Sequence, residues 1–420
     1  MPVLTLWTGN NVDRFFASTG NNNANISFHK KMIIGGCNLI LFLIIILSSI
    51  LSNVFVDGRR SADFNIEHLA KRKRTVKTIK GENGDIIHCV DIYQQPALSH
   101  PLLQNHSLQM KPSLDPTKTL STENSDLDVE FSMEDLLQDF RCPETTIPII
   151  RSQTMDNSPI PVTKQKLELE FQQPPIHEYA TVSISNSNYI GAQGILNIWN
   201  PKIFDSEFSI SQLWFIATGG DRVTNTMEVG WMAKEDNKTR LFIYWTRDNY
   251  QNTGCFNLAC PGFVQTNRKL ALGSAFRPVS TFRGKQYELQ VKIYKDNVTG
   301  NWWLMLQNQV FGYWPKDIFT SLRESANLIT WGGEVMNYRK HGRHTSTQMG
   351  SGHFPSEGNK KASYIRNIGY LDQSRQWKDA TNVVTHVSRS SCYNLHIIDK
   401  FDGYRTHFYY GGPGYSGRCY

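Results

Sequence analysis

Asn327-Leu-Ile-Thr-Trp-Gly-Gly-Glu-Val-Met336 alternates as a half-buried strand does. Ile329, Trp331 and Val335 fall on one face, and Thr330, Gly332, Glu334 and Met336 on the other. Glu334 thus shares its face with a glycine, and bare backbone beside a carboxylate leaves room for another chain to approach. Thr226-Met-Glu-Val-Gly-Trp-Met-Ala233 repeats the arrangement, with Glu228 and Gly230 on one face and Trp231 on the other. Two such strands could set two carboxylates over one groove, the minimum equipment for acid–base hydrolysis. Against this stands the ordinary fate of a strand glutamate, which is to face solvent.

Working outward, short runs rich in β-branched and aromatic residues recur between Gly/Asn/Asp/Pro turns. Strands are predicted at Ala180–Ser185, Ala192–Trp199, Phe208–Thr218, Thr226–Ala233, Leu241–Thr246, Gln286–Tyr294, Trp302–Gln307, Ile329–Met336 and Ala362–Tyr370. No long helical pattern interrupts them, so this part of the chain reads as an all-β, antiparallel β-sandwich. Parity sends Trp231 and Trp331 into the core. Gln212 shares a strand face with Phe208, Ile210 and Trp214, so its amide needs a buried partner: a substrate carbonyl, a catalytic carboxyl or a structural hydrogen bond. His341, His344 and His353 follow in a Gly/Ser/Thr loop and read as solvated side chains. No phosphate-cradling loop, GxSxG elbow or HExxH is present, and no His/Cys spacing suits a metal, so neither metal nor cofactor is expected.

The chain has 420 residues and a formal charge of +7, much of it in Arg59-Arg60 and Lys71-Arg-Lys-Arg74. Later segments mix both signs, which argues against a nucleic-acid surface. Residues 1–31 form a polar extension, and Met32–Phe55 carries no charge and is long enough to cross a bilayer as a helix. It is read as a signal peptide or a signal anchor, the latter giving a membrane-anchored precursor, and both place the remainder outside the cytosol. Of seven cysteines, six lie beyond this segment, an even number suited to disulfides. Sequence does not fix their pairing; local spacing suggests Cys255–Cys260 and Cys392–Cys419, leaving Cys89–Cys142. Asn105, Asn237 and Asn297 head glycan-acceptor triplets. Residues 63–150 form a small, mainly β unit in which Glu82-Asn-Gly-Asp85 reads as a hairpin turn. Residues 151–178 are Pro-, Ser- and Gln-rich, an exposed linker open to a protease, and 179–420 form the sandwich.

An ordered series of strings then resembles the neprosin family, secreted plant glutamic prolyl endopeptidases. It includes Val76–Val90, His100-Pro-Leu-Leu-Gln-Asn-His106 and Cys142-Pro-Glu-Thr-Thr-Ile-Pro148 in the first unit. The second unit contributes Asn197-Ile-Trp-Asn-Pro-Lys202, Ser211-Gln-Leu-Trp214, Glu228-Val-Gly-Trp231, Thr253-Gly-Cys-Phe-Asn-Leu-Ala-Cys260, Trp331-Gly-Gly-Glu-Val335 and Phe408-Tyr-Tyr-Gly-Gly-Pro-Gly414. The resemblance implies an activation peptide at 63–150 that blocks the groove, two packed sheets of seven or eight strands, and cleavage after proline. It makes Glu228 and Glu334 the catalytic pair; the strand faces, read separately, add Gln212, Gly230 and Gly332 as substrate-binding candidates. It also implies a monomeric, vacuolar or secreted zymogen whose partners are proline-containing peptides and its own propeptide. The loop Met232–Lys238 departs from the family pattern. A non-catalytic carbohydrate- or cell-wall-binding sandwich is the competing reading, in which the glutamates hydrogen-bond sugar hydroxyls.

Overall fold

A computed structural model of the chain describes residues 75–113, 130–151, 175–219, 223–234, 236–339, 343–398 and 404–420. The extension 1–31, Met32–Phe55, His341 and most of the 151–178 linker lie outside the described residues. Among the described residues, no helix is long and apolar enough to cross a membrane.

In chain order the strands are β1 (Thr75–Lys80), β2 (Ile86–Asp91), β3 (Thr146–Arg151), β4 (Ile176–Tyr189), β5 (Gly191–Asn197), β6 (Phe208–Thr218) and β7 (Thr224–Ala233). There follow β8 (Thr239–Thr246), β9 (Cys255–Phe256), β10 (Val264–Gln265), β11 (Glu288–Lys295), β12 (Trp302–Leu306), β13 (Gln309–Trp314) and β14 (Ala326–Asn337). The chain ends with β15 (Ser363–Leu371), β16 (Trp377–Asp379), β17 (Val384–Val387), β18 (Asn394–Ile398) and β19 (His407–Gly411). A seven-stranded sheet runs β17-β4-β14-β6-β7-β8-β9. It packs on a nine-stranded sheet, β10-β13-β12-β11-β5-β15-β19-β18 with β16 beside β15, one strand more than the resemblance implies. All pairings in both sheets are antiparallel. The very short β9 and β10 were not legible as strands because two residues carry no period.

Strand parity holds where it matters most. Trp231 and Trp331 are fully buried between the sheets, and each indole N–H reaches the opposite sheet, to the carbonyls of Asn197 and Gln193 at 3.0 Å. That satisfies their polar atoms inside an apolar layer, as buried tryptophans require. Their strand neighbours Glu228, Gly230, Gly332 and Glu334 consequently occupy the outer face of the seven-stranded sheet.

The linker boundary needs correcting. Ile176–Glu178 were placed in the linker, but β4 begins at Ile176 and pairs there with Asn337 of β14. The Pro/Gln composition just upstream hid a strand start whose hydrogen bonds all go to a distant partner.

The preceding unit is a three-stranded sheet, β1-β2-β3, with the turn at Gly81–Asp85 and a one-turn helix α1 (Met133–Leu136) capped by Ser132. It docks on the flank where β9 and β10 end their sheets. Ile92, Leu103, Met133, Leu136, Leu137 and Ile147 are buried in the same apolar cluster as the sandwich core. The Gln95 amide accepts from Gln265 N–H at 2.8 Å and donates to its carbonyl, doing for the β10 edge what another strand would do. The structure forms the Cys89–Cys142, Cys255–Cys260 and Cys392–Cys419 disulfides, with Cα separations of 5.5, 5.6 and 5.0 Å.

Gly230 and Gly332 have a second reason to be glycine. A Cβ on Gly230 would lie 2.0 Å from the Ser211 carbonyl oxygen of β6, and one on Gly332, whose φ is +151°, would lie 2.3 Å from that of Ala180 on β4. Backbone cannot yield as a side chain can. Gly230→Ala is expected to destabilise the fold by about 2–4 kcal/mol, read from denaturant midpoints, through strain rather than lost contacts.

Candidate active site

Three cross-strand rows define the outer face of the seven-stranded sheet. Thr330, Trp214, Glu228 and Tyr244 form one; Gly332, Gln212, Gly230 and Phe242 the next; Glu334, Ile210, Met232 and Arg240 the third. Gln212 thus stands between two glycines, with a glutamate diagonally placed on either side. The register brings together five residues singled out from sequence: Gln212, Glu228, Gly230, Gly332 and Glu334. Both glutamates are 7% exposed, and Gln212 is fully buried.

Their hydrogen-bond partners differ. Glu334 accepts on both oxygens: Gln212 Nε2 donates to Oε2 at 3.1 Å, while His177 Nδ1 lies 2.5 Å from Oε1 and the Tyr179 hydroxyl donates to it at 3.5 Å. An amide N–H can only donate, so this arrangement suits a carboxylate. Burial works to lower the His177 pKa, but the hydrogen bond to Glu334 and its negative charge prevail and raise it. Among the described residues Glu228 accepts on Oε1 alone, from Thr226 Oγ1 at 2.8 Å and the Tyr250 hydroxyl at 2.6 Å. Its Oε2 is left to carry a proton. Burial is the main influence pushing the Glu228 pKa up to about 7; the Tyr250 bond opposes it and the Glu334 charge adds to it. Gln212 Oε1 is buried with no hydrogen-bond partner among the described residues.

His177, Tyr179, Thr226 and Tyr250 were missed from sequence. Thr226 carried a signal, since it shares the Glu228 face two residues away. His177 and Tyr179 also alternate correctly, but only once the strand is seen to start at Ile176. Tyr250 lies in a turn with φ +63° and has no periodicity to betray it. His344, read as solvated, is buried: its Nε2 lies 2.9 Å from Glu178, and its Nδ1 lies 2.8 Å from the Thr345 carbonyl. Nearby Glu207 accepts from Thr345, Thr347 and the Tyr338 N–H, which pins the segment following β14. His344 falls beside Cys392 and Cys419, but those thiols are joined to each other and cannot serve a metal. Asn105, Asn237 and Asn297 are all exposed.

Two family models match this chain: neprosin over residues 205–413 and the neprosin activation peptide over residues 78–183. The chain belongs to the neprosin family. The order of the modules is that of a precursor, an activation-peptide domain ahead of a peptidase domain. The activation-peptide match runs into β4, which the structure assigns to the sandwich. Among solved structures, a scytalido-glutamic peptidase with a peptide-based transition-state analogue is similar at 8% identity and a TM-score of 0.30, covering 57% of this chain and all of that one. SCP-B, a member of the eqolisin family of peptidases in complex with the tripeptide Ala-Ile-His, is similar at 5% identity and a TM-score of 0.28, with coverage of 57% and 100%. Likeness at that level transfers nothing.

The raised Glu228 pKa also has a stability consequence. With a folded value near 7 against about 4.5 unfolded, the folded protein binds the extra proton between those limits, so stability falls as pH rises from 4.5 to above 7. Glu228→Gln removes that penalty. The variant is expected to match the parent near pH 4 and to exceed it by about 3 kcal/mol above pH 7, measured by urea unfolding at both pH values.

Proposed function

We propose that this chain is the precursor of an acid-acting glutamic endopeptidase that cleaves on the C-terminal side of proline residues. The observation that carries it is the unequal pair: two buried carboxyls flank one bare-backbone floor, one fully supplied with donors and the other with an oxygen free for a proton. Glu334, as carboxylate, takes a proton from a water molecule, and the resulting hydroxide adds to the scissile carbonyl. Glu228, protonated, donates its proton to the carbonyl oxygen. Glu334 then passes the proton it took from water to the leaving nitrogen, the C–N bond breaks, and the hydroxyl proton of the tetrahedral intermediate returns to Glu228. Gln212 positions Glu334 through Nε2, and its unpartnered Oε1 is available to a substrate amide N–H. His177 is a positioning residue that faces Glu334 with a positive charge when protonated. Preference for proline follows from the family resemblance, as does action in a secreted or vacuolar setting, with Met32–Phe55 directing or anchoring the precursor.

Since the acid must keep its proton, activity should fall as pH rises through about 7. Glu228→Gln and Glu334→Gln, in acid-treated full-chain protein, should each lower kcat by at least about 100-fold on a proline-containing peptide. Retention of parental activity by either variant would reject the pair. His177→Gln, which removes the cation facing Glu334, should leave cleavage detectable while lowering kcat with little change in KM. Unchanged kcat and KM would make His177 merely structural.

A further inference from the structure

Arg240 closes the third cross-strand row of the groove face, in line with Met232, Ile210 and Glu334. It lies two strands from Gln212, about 10 Å at the usual spacing between neighbouring strands, or about three residues of an extended peptide. Its guanidinium side chain is only 13% exposed, and it does not point idly into solvent. Nη1 and Nη2 grip the two oxygens of Asp85 at 3.0 and 3.1 Å, a bidentate pair with the turn of the β1–β2 hairpin. Nε donates to Asp236 at 3.0 Å, and Nη1 also reaches the Gly273 carbonyl at 2.9 Å. Alongside, Lys238 Nζ donates to the Asn83 carbonyl in the same turn at 2.9 Å.

These contacts belong to two different fates. Asp236 and Gly273 are part of the sandwich and remain with Arg240. Asp85 and Asn83 belong to the activation module, and its departure strips Arg240 of a bidentate carboxylate and Lys238 of its acceptor. What is left is a preformed, half-compensated fork of donors at one end of the groove. Asp236 fixes the guanidinium through Nε while leaving its outer edge open, which is the geometry of a carboxylate receptor rather than of a solvated side chain.

Building on the peptidase reading above, we propose that Arg240, with Lys238 beside it, is an anion subsite that Asp85 fills in the precursor and that an acidic substrate side chain fills afterwards. The activation hairpin would then mimic the acidic part of a substrate without entering the reaction centre. Its described residues make no hydrogen bond to Glu228 or Glu334.

Two measurements test this, one of them independent of catalysis. In the first, full-chain protein, Asp85→Asn and Arg240→Gln are nicked by limited proteolysis between residues 152 and 174, and retention of the activation module is followed by size exclusion at low and high salt. The parent should hold the module about tenfold better than either variant at low salt, with the difference shrinking as salt screens the pair. Equal retention in all three overturns the proposal. In the second, acid-treated full-chain protein receives matched proline peptides carrying Glu or Gln three residues from the scissile bond, on either side. The parent should favour one Glu peptide over its Gln twin by about tenfold in kcat/KM, and in Arg240→Gln that ratio should fall to about one. No preference in the parent, or a preference that survives Arg240→Gln, overturns the substrate role. If no protein cleaves any peptide while the first measurement behaves as expected, the peptidase reading fails, and the hairpin's anion site stands alone.

Discussion

Everything at this site depends on the cost of taking two carboxyl groups out of water on one sheet face. Neither is exposed enough to be hydrated freely, and the charge of Glu334 adds to the cost of ionising the buried Glu228. The fold answers unequally. One carboxyl receives an amide, a phenol and an imidazole, the groups that sustain a negative charge; the other receives two hydroxyls on a single oxygen and keeps its proton to near neutrality. Such an inequality is what separates a general base from a general acid when both are glutamates. It arises from where the strands place donors rather than from any difference in the side chains themselves.

That placement follows from register. Gln212 reaches Glu334 because β6 is paired so that the amide lies opposite Gly332, one step from the glutamate. Slipping β6 by a single residue would send Gln212 into the core and Leu213 into the groove. The core face of β6 resists this, because a slip would expel the fully buried Leu213 and Phe215. Trp231 on β7 and Trp331 on β14, each hydrogen-bonded across the core, hold the registers of their own strands in the same way. The apolar face therefore fixes the polar one, and the geometry of the carboxyl pair is a by-product of core packing.

The same logic explains what was legible in the sequence. Alternation of period two put Glu228 with Gly230 and Glu334 with Gly332, each pair opposite a tryptophan, and marked the Gln212 amide as needing a buried partner; only the strand pairing sets all five on one face. The resemblance of ordered motifs agreed with it by a separate route. Cysteine spacing suggested the pairings that the structure forms, since two of them close short loops. Legibility stopped where a contact depends on distant chain segments without a local pattern. His177 is invisible while the Pro/Gln-rich stretch ahead of it reads as linker, because only pairing with β14 makes that segment a strand. Tyr250 reaches Glu228 from a turn, and the burial of His344 depends on Glu178, 166 residues away. Glycine was read only as vacancy for a ligand, whereas the close approach of neighbouring backbone already demands it.

The activation module raises a different question of cause. Its described residues supply six buried side chains to the apolar cluster of the sandwich and an amide to the edge of β10, yet make no hydrogen bond to either glutamate. A module that served only as a plug would need neither. Burying those side chains contributes about 1.5–3 kcal/mol for each large aliphatic one, an attraction insensitive to salt and only weakly tunable by pH. The Asp85–Arg240 pair is the opposite kind of contact: small in area, specific in geometry and open to competition by any carboxylate. Affinity and selectivity are thus divided between two surfaces, so that the apolar flank can hold the module in place while the hairpin tip answers to the charge of whatever else enters the groove.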